Sequence, residues 1–227
     1  MRTPLAIVTT TVFMLLIGAC VSSLPPRADA EVLVERSRLS LEAFKKGPEE
    51  PDQKFRNELA HAQGLMIFPS AFKGAFVLGA EGGDGILIVK DENGQWGYPA
   101  FYTMGAGSFG FQIGAVASEI ILVLRSDRAV QAVVYNQGKL GADMGVTVGT
   151  IGGGLEGSTT TNVGPDIVGF SHGTGVYAGL SLEGAALVRR TDLNEAYYGP
   201  GANPAAIVFQ QKYMNAHAEN LRTALVM

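Results

Sequence analysis

The sequence predicts an α+β fold: a mostly antiparallel, strongly twisted, barrel-like sheet with an N-terminal helical pair and a C-terminal helix. Three observations predict it. The 227 residues include 30 glycines, nearly twice the ordinary share of about 7%. They lie among Val, Ile, Phe and Ala rather than in Ser or Pro tracts, which is the texture of twisted β structure and not of disorder. Second, residues 98–124, YPAFYTMGAGSFGFQIGAVASEIILVL, carry Glu119 as their one formal charge. Phe109, Phe111, Ile113, Ala115 and Ala117 alternate onto one strand face, and residues 120–124 are apolar on both faces, as a strand covered on two sides would be. These residues read as two central strands joined near Gly105 to Gly107. Third, helical periodicity is concentrated at the two ends of the chain.

The chain opens with a short positive segment at Arg2 and the apolar run 5–17, LAIVTTTVFMLLI, too short to span a bilayer comfortably and of signal-peptide length. It ends in Ile17-Gly18-Ala19-Cys20, and Cys20 is the only cysteine. This boundary is similar to a bacterial lipobox, which implies lipidation of Cys20; Val21 after it implies the outer membrane. The fold cannot depend on an internal disulfide. Residues 21–28 read as a tether. Asp29 is placed to cap a helix over 30–46 whose buried stripe is Leu33, Val34, Ser37, Leu41 and Phe44. Gly47-Pro48 stops it, and Pro51-Asp52 starts a second helix through His61, with Phe55 and Leu59 one turn apart.

Short β-like runs follow at 65–69, 74–80 and 85–90, then a turn of the Asn-Gly type at residues 91–94. After the central stretch, Asp127 is placed to cap a helix over 128–137. Glycine-rich β regions lie at 141–154 and 175–190, with a further strand at 166–171. A short helix covers 192–198, and Asn203-Pro204 starts a longer one that includes Ile207, Val208, Phe209, Met214, Leu221 and Leu225.

Charged residues make up 17% and the net charge is −4, which gives no support to nucleic-acid binding. Gly105-Ala106-Gly107-Ser108-Phe109-Gly110 spells a G-x-G-x-x-G. A dinucleotide site needs that turn to open a crossover helix, and here a period of two continues instead. The same argument removes Ser108 as a nucleophile-elbow serine. His61, His172 and His217 are scattered, and neither metal-ligand spacing nor a P-loop is present. Glu81, Asp84, Asp143, Glu156 and Glu183 are explained by glycine-flanked turns and edges. Glu119, on an apolar face, calls for a partner such as Arg125 or Tyr102. No catalytic residue, metal site or cofactor is expected.

The phrases Gly64-Leu65-Met66-Ile67-Phe68-Pro69-Ser70, Lys73-Gly74-Ala75-Phe76, Gly82-Gly83-Asp84-Gly85, Pro99-Ala100-Phe101-Tyr102-Thr103-Met104-Gly105, Gln112-Ile113-Gly114-Ala115, Ser118-Glu119, Gly179-Leu180-Ser181-Leu182-Glu183-Gly184 and Asn194-Glu195-Ala196-Tyr197-Tyr198-Gly199 occur in this order. Together they resemble the SYLF domain, shared by bacterial envelope lipoproteins and eukaryotic membrane-trafficking and actin-patch proteins. The resemblance implies phospholipid binding, of phosphatidylinositol type in eukaryotes, and brings no catalytic residues. The expected organisation is a lipoprotein signal peptide at 1–19, a tether at 20–29, a SYLF-like lipid-binding domain at 30–199 and a C-terminal helical extension at 200–227. The expected function is non-enzymatic binding of anionic phospholipid from the periplasmic face of the bacterial outer membrane. Arg36, Arg38, Lys45, Lys46, Lys54, Arg56 and Lys73 are the candidate headgroup contacts. The alternative is an envelope scaffold that uses lipid only as its anchor and binds other envelope proteins.

Overall fold

The computed structural model describes residues 24–75, 78–109, 114–136, 138–141, 148–151, 165–173 and 185–226. Its centre is an eight-stranded sheet in the order β5-β8-β3-β2-β1-β4-β7-β6. The strands are β1 Gly64–Ala75, β2 Leu78–Val89, β3 Ala100–Phe109, β4 Gly114–Leu124, β5 Gly138–Lys139, β6 Val148–Ile151, β7 Ile167–Gly173 and β8 Ala186–Arg189. Every pairing is antiparallel except β6 with β7. The sheet is twisted but does not close into a barrel, since β5 and β6 end it on opposite sides. Helices cover both faces, so closure is not needed to bury the apolar side chains.

The pairing is nested. β1 and β2 form the central hairpin, while β3 joins β2 and β4 joins β1. The expectation that β3 and β4 meet near Gly105 is therefore corrected. β3 runs straight through Gly105 and Gly107, which pair with Gly82 and Ala80. The predicted run 74–80 likewise straddles the end of one twelve-residue strand and the start of the next.

β1 carries a bulge between Phe68 and Ala71. Pro69, which has no N–H to give to a ladder, sits within it. The bulged segment leans onto β2, where a Cβ on Gly83 would lie 2.4 Å from the Ser70 carbonyl oxygen and one on Gly85 2.4 Å from Phe68 Cδ1. Only glycine admits that approach.

Alternation sends the sheet's side chains into two cores. Leu65, Ile67, Ile86, Ile88, Phe101, Ile121, Val123 and Phe170 face one way. Met66, Phe68, Leu87, Tyr102, Ile120, Leu122 and Leu124 face the other. Residues 120–124 are fully buried, as their uninterrupted apolar run implies. Full burial of one such side chain contributes about 1.5–3 kcal/mol.

Over the first core lie helices α1 (Pro26–Lys46) and α2 (Glu50–His61), with α4 (Thr191–Tyr198) and α6 (Glu219–Leu225) beside them. The expected stripe of α1 is buried, extended by Ala30 and Ser40. The helix starts at Pro26, because a proline at the first position is already shaped for it. α2 opens with a capping box between Glu49 and Asp52. Leu221 and Leu225 of α6 are buried in the same core as α1, so residues beyond 200 are built into the domain.

The second core is covered by α3 (Asp127–Tyr135) and α5 (Pro204–Val208). Ser126, not Asp127, caps α3, accepting a bond from the Ala129 N–H at 3.2 Å. The long helix expected after Asn203 is broken. Gln211 takes a φ of 49°, the Lys212 N–H turns back to the Ala206 carbonyl at 3.0 Å, and a 3-10 turn at Ala216–Ala218 leads into α6.

Candidate functional site

The seven basic candidates are spread over the helical layer and β1, and the structure uses them unequally. Arg36 is exposed on the outer face of α1. Arg38 is gripped by Glu35 at 2.6 Å and also bonds Glu42; the Glu35 hydrogen bond raises its already high pKa further. Lys46 pairs with Glu42 at 2.7 Å and Lys54 with Glu50 at 3.0 Å. Lys45 donates to the Ala224 and Val226 carbonyls at 2.7 and 2.9 Å, and burial lowers its pKa. Arg56 donates to the Lys45 and Gly47 carbonyls at 3.2 and 2.9 Å, closing the end of α1. The Lys73 backbone lies in β1, paired with Glu81; its side chain, like Cys20, lies outside the described part of the structure. Exposed pairs of this kind hold their partners by about 1 kcal/mol or less, so an anion of higher charge density can exchange with the carboxylate.

The outer face of α1 holds more than charge. Val32 and Leu39 are 37% and 52% exposed, and their spacing of seven residues stacks them on one side of the helix; Leu24, 51% exposed, lies just before the helix start at Pro26. Arg36 and Lys46 flank that stripe. The inner stripe builds the core while the outer one is left to the surroundings.

Beneath α1, a polar group sits where the sheet meets the helical pair. Ser40 Oγ donates to Glu119 Oε1 at 3.0 Å. Glu119 pairs across β4 and β7 with His172, whose Nδ1 is 3.9 Å from the carboxylate. His172 Nε2 meets the buried Asp52 carboxylate at 2.6 Å, and its ring stacks on Phe44 at 3.6 Å. Glu119 thus finds Ser40 and His172 rather than the expected Arg125 or Tyr102; Arg125 pairs with Glu58 at 3.1 Å. The sequence offers no local signal for this group, since its hydrogen-bonded partners are 79 and 120 residues apart. Chemically it is a strut. The serine proton is directed at a carboxylate and not at the imidazole, so a nucleophile, base and orienter are not lined up.

At the β3–β8 side of the same sheet face, Arg190 bonds Asp84 at 2.5 Å and Asp192 at 2.8 Å, and Thr103 donates to Asp84. Asn194, fully buried, accepts from the Phe101 N–H at 3.0 Å and donates to the Phe101 and Arg190 carbonyls at 3.1 and 2.8 Å. Its side chain acts as an extra strand residue at the start of β3. Ser108 lies within β3, opposite Gly79, with no strand-to-helix turn. Among the described residues no cluster has the makeup of a metal site. No helix among them is long and apolar enough to cross a membrane.

Comparisons with known proteins identify relatives of this chain. A family model described as "Ysc84: Las17-binding protein actin regulator" matches residues 105–227. SH3 domain-containing YSC84-like protein 1 of Homo sapiens is 32% identical over 164 residues, which is 72% of this chain and 48% of the human protein. SH3 domain-containing protein PJ696.02 of Schizosaccharomyces pombe is 29% identical, over 72% of this chain and 41% of its own length. Protein YSC84 of Saccharomyces cerevisiae is 26% identical, over 66% of this chain and 32% of its own. The chain spans half or less of the length of these relatives. With the family model covering more than half of its residues, the chain belongs to the Ysc84 family of SYLF-domain proteins.

Proposed function

We propose that this chain is a non-enzymatic, lipid-anchored module of the bacterial cell envelope, tethered through Cys20 at the periplasmic face of the outer membrane, whose folded domain binds anionic phospholipid. The observation that carries the reading is the outer stripe of α1 with its flanking cations. α1 begins at Pro26, so the chain between Cys20 and the helix reaches at most about 20 Å. The acyl chains would therefore hold this helix at the bilayer surface. A helix with Val32 and Leu39 on one side, Leu24 just before its start and Arg36 and Lys46 beside the stripe is suited to lie in the interfacial plane, apolar side chains down and cations at the headgroups. The family resemblance adds phosphatidylinositol-type lipids to the class. A binding role in place of catalysis is supported by the family's description as a binding protein and by the direction of the Ser40 hydroxyl.

The test is flotation of residues 21–227 with phosphatidylglycerol or cardiolipin vesicles at low salt, against phosphatidylcholine alone. Binding should depend on the anionic lipid and fall in Leu39→Asp and Arg36→Glu. Absence of flotation at low salt removes the lipid-binding reading. It leaves the scaffold alternative, in which a protein is the partner, as Las17 is in the family's description. Mass spectrometry of the mature chain tests the anchor separately: an amino terminus upstream of an unmodified Cys20 refutes it.

A further inference from the structure

On the sheet face opposite α1, a groove of about 800 Å³ opens between the Asn-Gly turn, the first turns of α3 and the end of α5. Its volume falls within the range of binding clefts. Val89, Val130, Val208 and Phe209 are its apolar lining residues, and the rest of the lining is polar or charged. Phe209 stacks on Tyr135, with ring centroids 5.5 Å apart, and the two rings are 39% and 60% exposed. An exposed aromatic pair beside a concave, mostly polar groove supplies an anchor for one apolar side chain within a polar surround.

The rim is net acidic. Asp91, Glu92 and Asp127 border the groove together with a single cation, Lys90. The Lys90 ammonium is engaged with the Trp96 ring at 4.9 Å. The Asp91 carboxylate is fixed in place by the Gln95 and Asn93 N–H groups at 2.8 and 2.9 Å. The Gln95 bond is the chief cause of its lowered pKa, and the Gln211 side chain contributes. Gln211 is the one non-glycine residue with positive φ among the described residues. A conformation of that kind costs about 1 kcal/mol or more and persists where its surroundings demand it; here it turns the chain after α5 so that its amide reaches the acidic turn.

The geometry points to a docking site for an extended cationic peptide segment of a partner protein, with an apolar side chain seated against Phe209 and Tyr135 and arginine or lysine at Asp91, Glu92 and Asp127. It goes beyond the lipid reading and is independent of it, since α1 lies over the other core. The charge disfavours an anionic bilayer on this face, because headgroups would meet three carboxylates against one cation.

The test is fluorescence polarisation of the full chain against an array of ten-residue peptides in which the number of arginines and the presence of one Leu or Phe are varied independently. Binding should rise with arginine number, require the apolar residue and weaken with salt. Phe209→Ala should lower affinity by about tenfold. Glu92→Lys should weaken the arginine-rich peptides more than the neutral ones. Both variants should melt like the parent and float with anionic vesicles as before. No binding by any peptide overturns the proposal, as does binding indifferent to arginine number or to both substitutions. Loss of self-association in the variants would assign the groove to a second copy of this chain, and loss of vesicle binding would assign it to lipid; either result also overturns the proposal.

Discussion

Replacing Asn194 by leucine, a side chain of similar size, removes three hydrogen bonds from a fully buried position. Two of the abandoned groups keep a second partner: the Phe101 carbonyl still accepts from the Arg190 N–H, and the Arg190 carbonyl from the Asn194 N–H. The Phe101 N–H is left bare. Three bonds at about 1 kcal/mol each, with the added cost of one orphaned buried donor, give a loss of about 4 kcal/mol. That is a large part of the 5–15 kcal/mol typical of a domain. With a urea slope of about 2–3 kcal/mol per molar, the midpoint should drop by about 1.5 M. Trp96, the only tryptophan, is buried in the same core as Phe101 and reports the transition by fluorescence. Asn194→Asp sharpens the test. It keeps the bond from the Phe101 N–H but turns a carboxylate oxygen toward two carbonyls, so it should be weaker than the parent at neutral pH and recover part of the loss in acid. A leucine variant whose midpoint stays within about 0.3 M of the parent would refute the reasoning.

Gly85→Ala should cost about 2–3 kcal/mol, read by thermal melting, because the new methyl would sit 2.5 Å from the Ile67 carbonyl oxygen as well as against Phe68; an unchanged melting temperature would contradict the bulge packing. Tyr102→Phe should change stability by no more than about 1 kcal/mol, since the buried Tyr102 hydroxyl has the Arg189 guanidinium beside it but no hydrogen bond of good geometry; a loss of several kcal/mol would contradict this. Glu219 is held below its ordinary 4.5, first by the Tyr98 hydroxyl at 2.6 Å and then by Arg222. A depressed carboxyl gives its full stabilisation above the ordinary value and loses it as the pH falls through the lower folded one. The Glu219 contribution should therefore be constant down to pH 4.5 and decline below it, and Glu219→Gln should flatten that decline in a series of urea melts.

Much of the architecture is legible in the residues because it is locally determined. The buried stripe of α1, the proline and carboxylates that open α2, the Asn-Gly turn and the doubly apolar run at 120–124 each follow from neighbours in sequence. Strand pairing does not. Glycines at 79, 82, 83 and 85 read as breaks between short strands, yet they lie inside one long strand, where Gly83 and Gly85 admit the bulged β1. The polar group escaped notice for the same reason. Asp52 reads as a helix-opening residue, a role it fills through the Glu49 capping box, and nothing near it announces His172. Charge is the other blind spot. Arg38, Lys45 and Arg56 look solvent-directed from their helical positions, but each finds a carboxylate or a free carbonyl at a helix end.

The two bonds from Lys45 to the Ala224 and Val226 carbonyls fasten the last described turn to the far end of the first helix. Pro26 and Lys45 are separated along that helix by about 28 Å. α1 therefore acts as a spacer between two ends, one following Cys20 in sequence and one a helix-length away. A fluorophore placed after Val226 would sit at that second end, so its distance from a label at Leu24 reports the length of α1 directly.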